Sequence, residues 1–101
     1  FGVMGGQYQA AGHAYVLSQM IDFGSNPQLA LNHPRIFPNN NVLDIEKGFD
    51  KEVIDELKSR GHKINYPSLP IGGGQMILID EDRGVLIGAS DWRKDGLAIG
   101  Y

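Results

Sequence analysis

Two unbroken apolar runs, Gln75-Met76-Ile77-Leu78-Ile79 and Gly84-Val85-Leu86-Ile87-Gly88, flank the acidic tetrapeptide Asp80-Glu81-Asp82-Arg83, and this arrangement constrains the fold most. Each run is too short for a core helix and rich in β-branched residues. The polar tetrapeptide has the composition and length of a hairpin turn. Neither run alternates polar with apolar residues, so both strands are expected to be covered on both faces. A chain that carries such a hairpin needs other elements layered against it.

The rest of the sequence offers those elements. Gly2-Val3-Met4-Gly5-Gly6 is too glycine-rich to be helical and reads as a loop feeding a helix over residues 7–23. The apolar residues of that helix follow helical spacing but cover most of its circumference, which predicts burial on more than one side. Gly24-Ser25-Asn26-Pro27 stops it and starts a second short helix over 27–32, with Ser25 or Asn26 as cap. His33-Pro34 closes that helix, and Pro38-Asn39-Asn40-Asn41 reads as a loop. Val42 to Glu46 alternates as a short strand. Asp50 is placed to cap a third helix with Val53, Ile54 and Leu57 on one face, ended by Arg60-Gly61. Residues 62–66 suggest a strand, and 67–74, with three consecutive glycines, a flexible loop. The expected order is helix, helix, strand, helix, strand, strand, strand: a mixed α/β layered fold in a single domain over 1–101, without internal repeat or linker.

Several functions are excluded on composition. The formal charge is −3 and the basic residues are scattered, so there is no cationic stripe for nucleic acid. No apolar run approaches the roughly 20 residues that span a bilayer, so a membrane is not an expected partner either. Cysteine is absent, which removes disulfides, thiolate zinc sites and a cysteine nucleophile. His13, His33 and His62 lack the i, i+4 spacing of a helical metal site. Gly72-Gly73-Gly74 lacks the Gly-Lys-Ser/Thr ending of a phosphate loop, and Gly88-Ala89-Ser90-Asp91 is not a nucleophile elbow, so Ser90 and Asp91 are assigned to turn bonding. The aromatic residues Tyr8, Tyr15, Phe23 and Phe37 are assigned to the core. No cofactor is implied. There is also no threonine, and the chain begins Phe1-Gly2 rather than with methionine, as if cut from a longer polypeptide.

Taken in order, Gly2-Val3-Met4-Gly5-Gly6, Ile21-Asp22-Phe23-Gly24, Pro34-Arg35, Glu46-Lys47-Gly48, Leu57 to His62, and the closing Gly84 to Asp91 with Arg93, Asp95-Gly96 and Gly100-Tyr101 resemble the small subunit of gamma-glutamyltransferases. Trp92 departs from that pattern, which usually has proline there, and a local difference is expected.

The resemblance implies an N-terminal nucleophile hydrolase, made as a self-cleaving precursor whose new amino-terminal threonine attacks a gamma-glutamyl amide such as glutathione. This chain would be the carboxy-terminal half of the small subunit, contributing part of an αββα sandwich. Its expected partners are the large subunit and the amino-terminal half of the small subunit, or a second copy of itself. The small-molecule substrate would be a gamma-glutamyl compound. Gly5 and Gly6 match the family's paired oxyanion-hole glycines, and backbone amides entering a helix suit that role. Asp91 and Arg93 are candidates for a buried pair organising the chain end, and Arg35 for a guanidinium beneath the active-site floor. Two alternatives stand beside this reading: an inactive, self-associating remnant, and an acylase acting on side chains such as those of cephalosporins.

Overall fold

The computed structural model describes all 101 residues and is a mixed α and β fold. It resolves into two compact units, residues 1–32 with 72–101, and residues 33–71.

The first unit holds a three-stranded antiparallel sheet in the order β1-β5-β6, with β1 at Gly2–Met4, β5 at Gly73–Asp80 and β6 at Val85–Ser90. Helices α1 (Gln9–Ile21) and α2 (Pro27–Asn32) pack on it, and 3-10 turns occupy Gly6–Tyr8 and Trp92–Lys94. Its core comprises Val3, Tyr8, Val16, Ala30, Leu31, Met76 and Ala89. Fully burying a side chain such as Leu31 or Val16 contributes about 1.5–3 kcal/mol. Asn26 caps α2, its Oδ1 accepting from Leu29 N at 2.9 Å.

Three expectations about this unit fail. The segment Gly2–Met4 is a strand, not a loop, because it pairs with β5 in the register Gly2 to Gln75, Val3 to Gly74 and Met4 to Gly73. The same pairing draws Gly73 and Gly74 out of the expected loop and into β5. A side chain enters neither position without movement: a Cβ on Gly74 would stand 2.8 Å from Cδ2 of the buried Leu31, and one on Gly73 would stand 2.4 Å from Lys94 Cγ, whose exposed side chain would have to swing away. Second, α1 buries one stripe, Gly12 and Val16, while Leu17, Ile21 and the following Phe23 are exposed, so Phe23 is not a core residue. Third, the β5–β6 hairpin is not covered on both faces within this chain: Ile77, Ile79 and Leu86 are each about two-thirds exposed. The hairpin itself is as expected. Arg83 N donates to Asp80 Oδ1 at 3.0 Å within the turn, and Gly84 takes φ 66°.

The second unit has a sheet in the order β2-β3-β4 (Ile36–Asn39, Val42–Ile45, Ile64–Asn65) and helix α3 (Lys51–Ser59), with Ile45, Ile54 and Ile71 buried. Strand β2 was not expected. Pro38 and Asn39 lie within it, and Asn40 and Asn41, both at positive φ, form the two-residue turn to β3. Such a turn demands left-handed residues, which asparagine tolerates, and a proline is accommodated because β2 is an edge strand. Asp50 takes the N-cap position of α3 through its carbonyl, which accepts from Val53 N and Ile54 N, rather than through its side chain. Bonds from Gly61 N to Lys58 O and His62 N to Leu57 O close the helix in a Schellman motif, with Gly61 at φ 92°. On its surface Lys51 bonds Asp55 one turn on, and that hydrogen bond holds the lysine amine above and the carboxyl below their ordinary ranges.

Candidate functional site

Gly5 and Gly6 join β1 to the 3-10 turn that opens into α1. Both lie in the positive-φ region, at 139° and 58°, and both are exposed. Their carbonyls are used: Gly5 O accepts from Tyr8 N at 3.0 Å and Gly6 O from Gln9 N. Neither glycine amide donates to another backbone or side-chain acceptor. Two adjacent N–H groups are therefore available at the mouth of a helix, where the backbone dipole favours negative charge.

The conformation of this pair is enforced from one side by Tyr8, only 3% exposed. Its ring sits in a cradle of three glycines, where a Cβ on Gly5 would meet it at 3.3 Å, on Gly12 at 2.6 Å and on Gly72 at 2.7 Å. Tyr8 is thus a core residue, as expected. From the other side β1 is held by His13, whose Nε2 lies 3.2 Å from Val3 N and whose Nδ1 lies 2.7 Å from Gln9 O. A pocket of about 400 Å³ opens here, bounded by β1, Gln9, His13, Gln75 and Lys94. From sequence His13 stands out only as a metal-ligand candidate; its spacing of four residues from Gln9 is the signal for a helix-anchored imidazole.

Behind the sheet lies the polar pair expected from the sequence. Asp91 and Arg93 are buried, with Arg93 Nη1 3.1 Å from Asp91 Oδ1 and 2.8 Å from Leu31 O. Asp91 Oδ2 accepts from Gly74 N at 2.9 Å, and Asp91 Oδ1 also accepts from Arg93 N at 3.0 Å. One carboxylate thereby joins β5 to the turn that follows β6, while its arginine reaches the end of α2. Ser90 likewise has a structural role: its backbone N and O pair with the Gln28 side chain at 3.1 and 3.0 Å, and its hydroxyl donates to Gln75. Trp92, the residue that departs from the expected proline, begins the 3-10 turn and carries the Arg93 guanidinium 4.7 Å over its ring. Proline also suits the first position of a helical turn.

Arg35 is fully buried within the second unit. Its Nη1 donates to Ile71 O at 2.9 Å. Glu46 completes the arrangement, its two oxygens accepting from Arg35 N and Ile71 N, each at 2.9 Å, while its own amide donates to Arg35 O. The sequence marked Glu46-Lys47-Gly48 without assigning Glu46 a role, because the partners lie 11 and 25 residues away.

The family model for gamma-glutamyltranspeptidase matches residues 1–101. A glutathione hydrolase-like proenzyme of Bacillus subtilis is 32% identical over 99% of the chain, and an acylase proenzyme of Pseudomonas sp. is 34% identical over 79%. The chain spans 21% of the first of these relatives and 14% of the second. Among solved structures, the cephalosporin acylase of Bacillus halodurans superposes with a TM-score of 0.86 at 40% identity, covering 99% of the chain and 20% of that protein. The transpeptidase CapD of Bacillus anthracis superposes with the same score at 25% identity, covering 99% of the chain and 61% of its own. Such a match over the whole length, with relatives that are N-terminal nucleophile hydrolases, places the chain in the gamma-glutamyltranspeptidase family.

Proposed function

We propose that this chain supplies the oxyanion-binding amides of an acyl-transfer site whose nucleophile is carried on an upstream part of the same precursor. The observation that carries this reading is the pair of exposed, undonated amides at Gly5 and Gly6, held at positive φ ahead of α1. In the reaction a threonine hydroxyl elsewhere in the protein attacks the amide carbonyl of a gamma-glutamyl compound such as glutathione. Its proton passes to the amino group of that same terminal residue, and the carbonyl π electrons move onto oxygen. Gly5 N–H and Gly6 N–H hold that oxyanion until the C–N bond breaks and the protonated amine leaves. Water or an amino acid then releases the acyl group through the same tetrahedral geometry. Removing one such donor typically costs about 10²–10³ in kcat.

The test is a structure of the intact protein trapped with an electrophilic gamma-glutamyl analogue. The adduct oxygen should lie within about 2.7–3.1 Å of both glycine nitrogens, the distance such donors require. An adduct oxygen bonded elsewhere refutes the assignment.

A second reading, hydrolysis of a non-glutamyl amide by an acylase, is favoured by one observation: the 40% identity to the cephalosporin acylase against 25% to CapD. Amine release from a gamma-glutamyl anilide, set against deacylation of a cephalosporin amide by the same intact protein, separates the two.

A further inference from the structure

We propose that His13 is a positioning residue for the Gly5–Gly6 amides, acting as a neutral imidazole locked in one tautomer; this rests on the oxyanion reading above. A backbone amide can only donate, so the Val3 N to His13 Nε2 contact at 3.2 Å requires a lone pair on Nε2. The ring proton is therefore on Nδ1, where it is donated to Gln9 O at 2.7 Å. Both ring nitrogens are committed to the backbone.

Val3 is the central residue of β1, and Gly74, opposite it in the ladder, turns its own N–H and C=O to Asp91 instead. Within this chain β1 is the outer strand of its sheet, and the Val3 amide that points away from β5 is closed by His13. Exposed edge donors invite stray pairing and let a short strand slip. Only Met4 separates Val3 from the glycine pair. Gly5 and Gly6 have no side chains with which to brace themselves, so their placement depends on Tyr8 behind and on β1 ahead. The Phe1 ring lies against the imidazole, centroid to centroid 5.5 Å and tilted by 37°.

Reactive geometry tolerates little error, and a displacement of about 1 Å can cost 10²-fold in rate. In the intact protein, His13→Phe keeps an aromatic ring beside Phe1 but deletes the acceptor. It should lower kcat by about 10- to 100-fold on that scale with KM unchanged, while His13→Gln, whose amide oxygen can accept from Val3, recovers most of the loss. Folded His13→Phe protein with undiminished kcat overturns the proposal. The imidazole ¹⁵N shifts give an independent readout: protonated Nδ1 with unprotonated Nε2 is expected, and the opposite tautomer overturns the role of His13 while leaving the glycine assignment intact. Conversely, an adduct oxygen found away from Gly5 and Gly6 removes the oxyanion reading, and the positioning role with it, even where the tautomer is as expected.

Discussion

Each of the two units buries an arginine, and the two solve the resulting problem differently. In the unit of residues 1–32 and 72–101, Arg93 meets Asp91 two residues away, and the same carboxylate also takes the amides of Gly74 and Arg93. In the unit of residues 33–71, Arg35 donates to Ile71 O, and Glu46 spends one oxygen on Arg35 N and the other on Ile71 N. The first device is a local ion pair that fixes a turn and from there reaches β5 and α2. The second is a clasp whose carboxylate spans chain segments far apart in sequence. Burying a charge is costly unless its charge and its hydrogen-bonding capacity are met; for Arg93 the local pair concentrates both demands on one carboxylate, whereas Glu46 serves the backbone around Arg35 and the Arg35 Nε makes no hydrogen bond.

That concentration makes Asp91 the most sensitive position in the comparison. Asp91→Ala strands a fully buried guanidinium and frees two buried amides, a change that typically costs about 3–5 kcal/mol. Denaturant unfolding of the intact protein should show this loss, with faster amide exchange in β5 and α2. A cost below that of the Glu46 variant would break the comparison. Glu46→Gln keeps the side-chain shape and one acceptor but turns an NH₂ toward Arg35 N or Ile71 N, which leaves one donor unsatisfied at about 1–3 kcal/mol. Its exchange signature should fall in residues 33–71.

The glycine cradle around Tyr8 provides a smaller contrast within the first unit. In Gly12→Ala the new Cβ would stand 2.6 Å from Tyr8 Cε1 and 2.7 Å from Val3 Cγ1, so atoms must move. Overpacking of this kind costs about 1–3 kcal/mol, and the better helix propensity of alanine returns about 1 kcal/mol. A net loss near 1 kcal/mol in thermal or denaturant unfolding is expected, together with reduced kcat, because Tyr8 backs the Gly5–Gly6 turn. Wild-type stability in this variant would mean the cradle is looser than the packing indicates.

Where sequence alone sufficed, the signal was local. The cap at Asn26, the stop at Gly61, the hairpin around Asp80 and the Asp91–Arg93 pair all involve residues within a few positions of each other. Strand β1 was missed because three residues have no periodicity to display, and only pairing with β5 makes them a strand. Strand β2 was missed because Pro38 and the asparagines carry turn chemistry, and an edge position reconciles the proline with a strand. Full coverage was assigned to the hairpin from its unbroken apolar runs, but burial depends on what packs against a strand, and here Ile77, Ile79 and Leu86 stay exposed. For the site, the glycine pair came from family resemblance, whereas the anchoring by His13 and the clasp at Glu46 depend on partners that only the folded chain brings together.

The surface pair on α3 calibrates the buried ones. Lys51 and Asp55 are both exposed, with side chains 88% and 52% accessible, yet their hydrogen bond raises the lysine pKa and lowers the aspartate pKa. Any stability from the depressed Asp55 is present above its unfolded pKa and lost as pH falls through the folded value. Any from the raised Lys51 is present below its unfolded pKa and lost as pH rises through its folded one. Between those limits both contributions act, but water and salt screen exposed charges, so such pairs contribute little. Asp55→Asn should therefore leave the unfolding midpoint almost unchanged at low ionic strength and unchanged in high salt. A loss comparable to that from Glu46→Gln would show that charge pairing stabilises this chain regardless of burial, and the distinction drawn between its two arginines would then rest on the wrong variable.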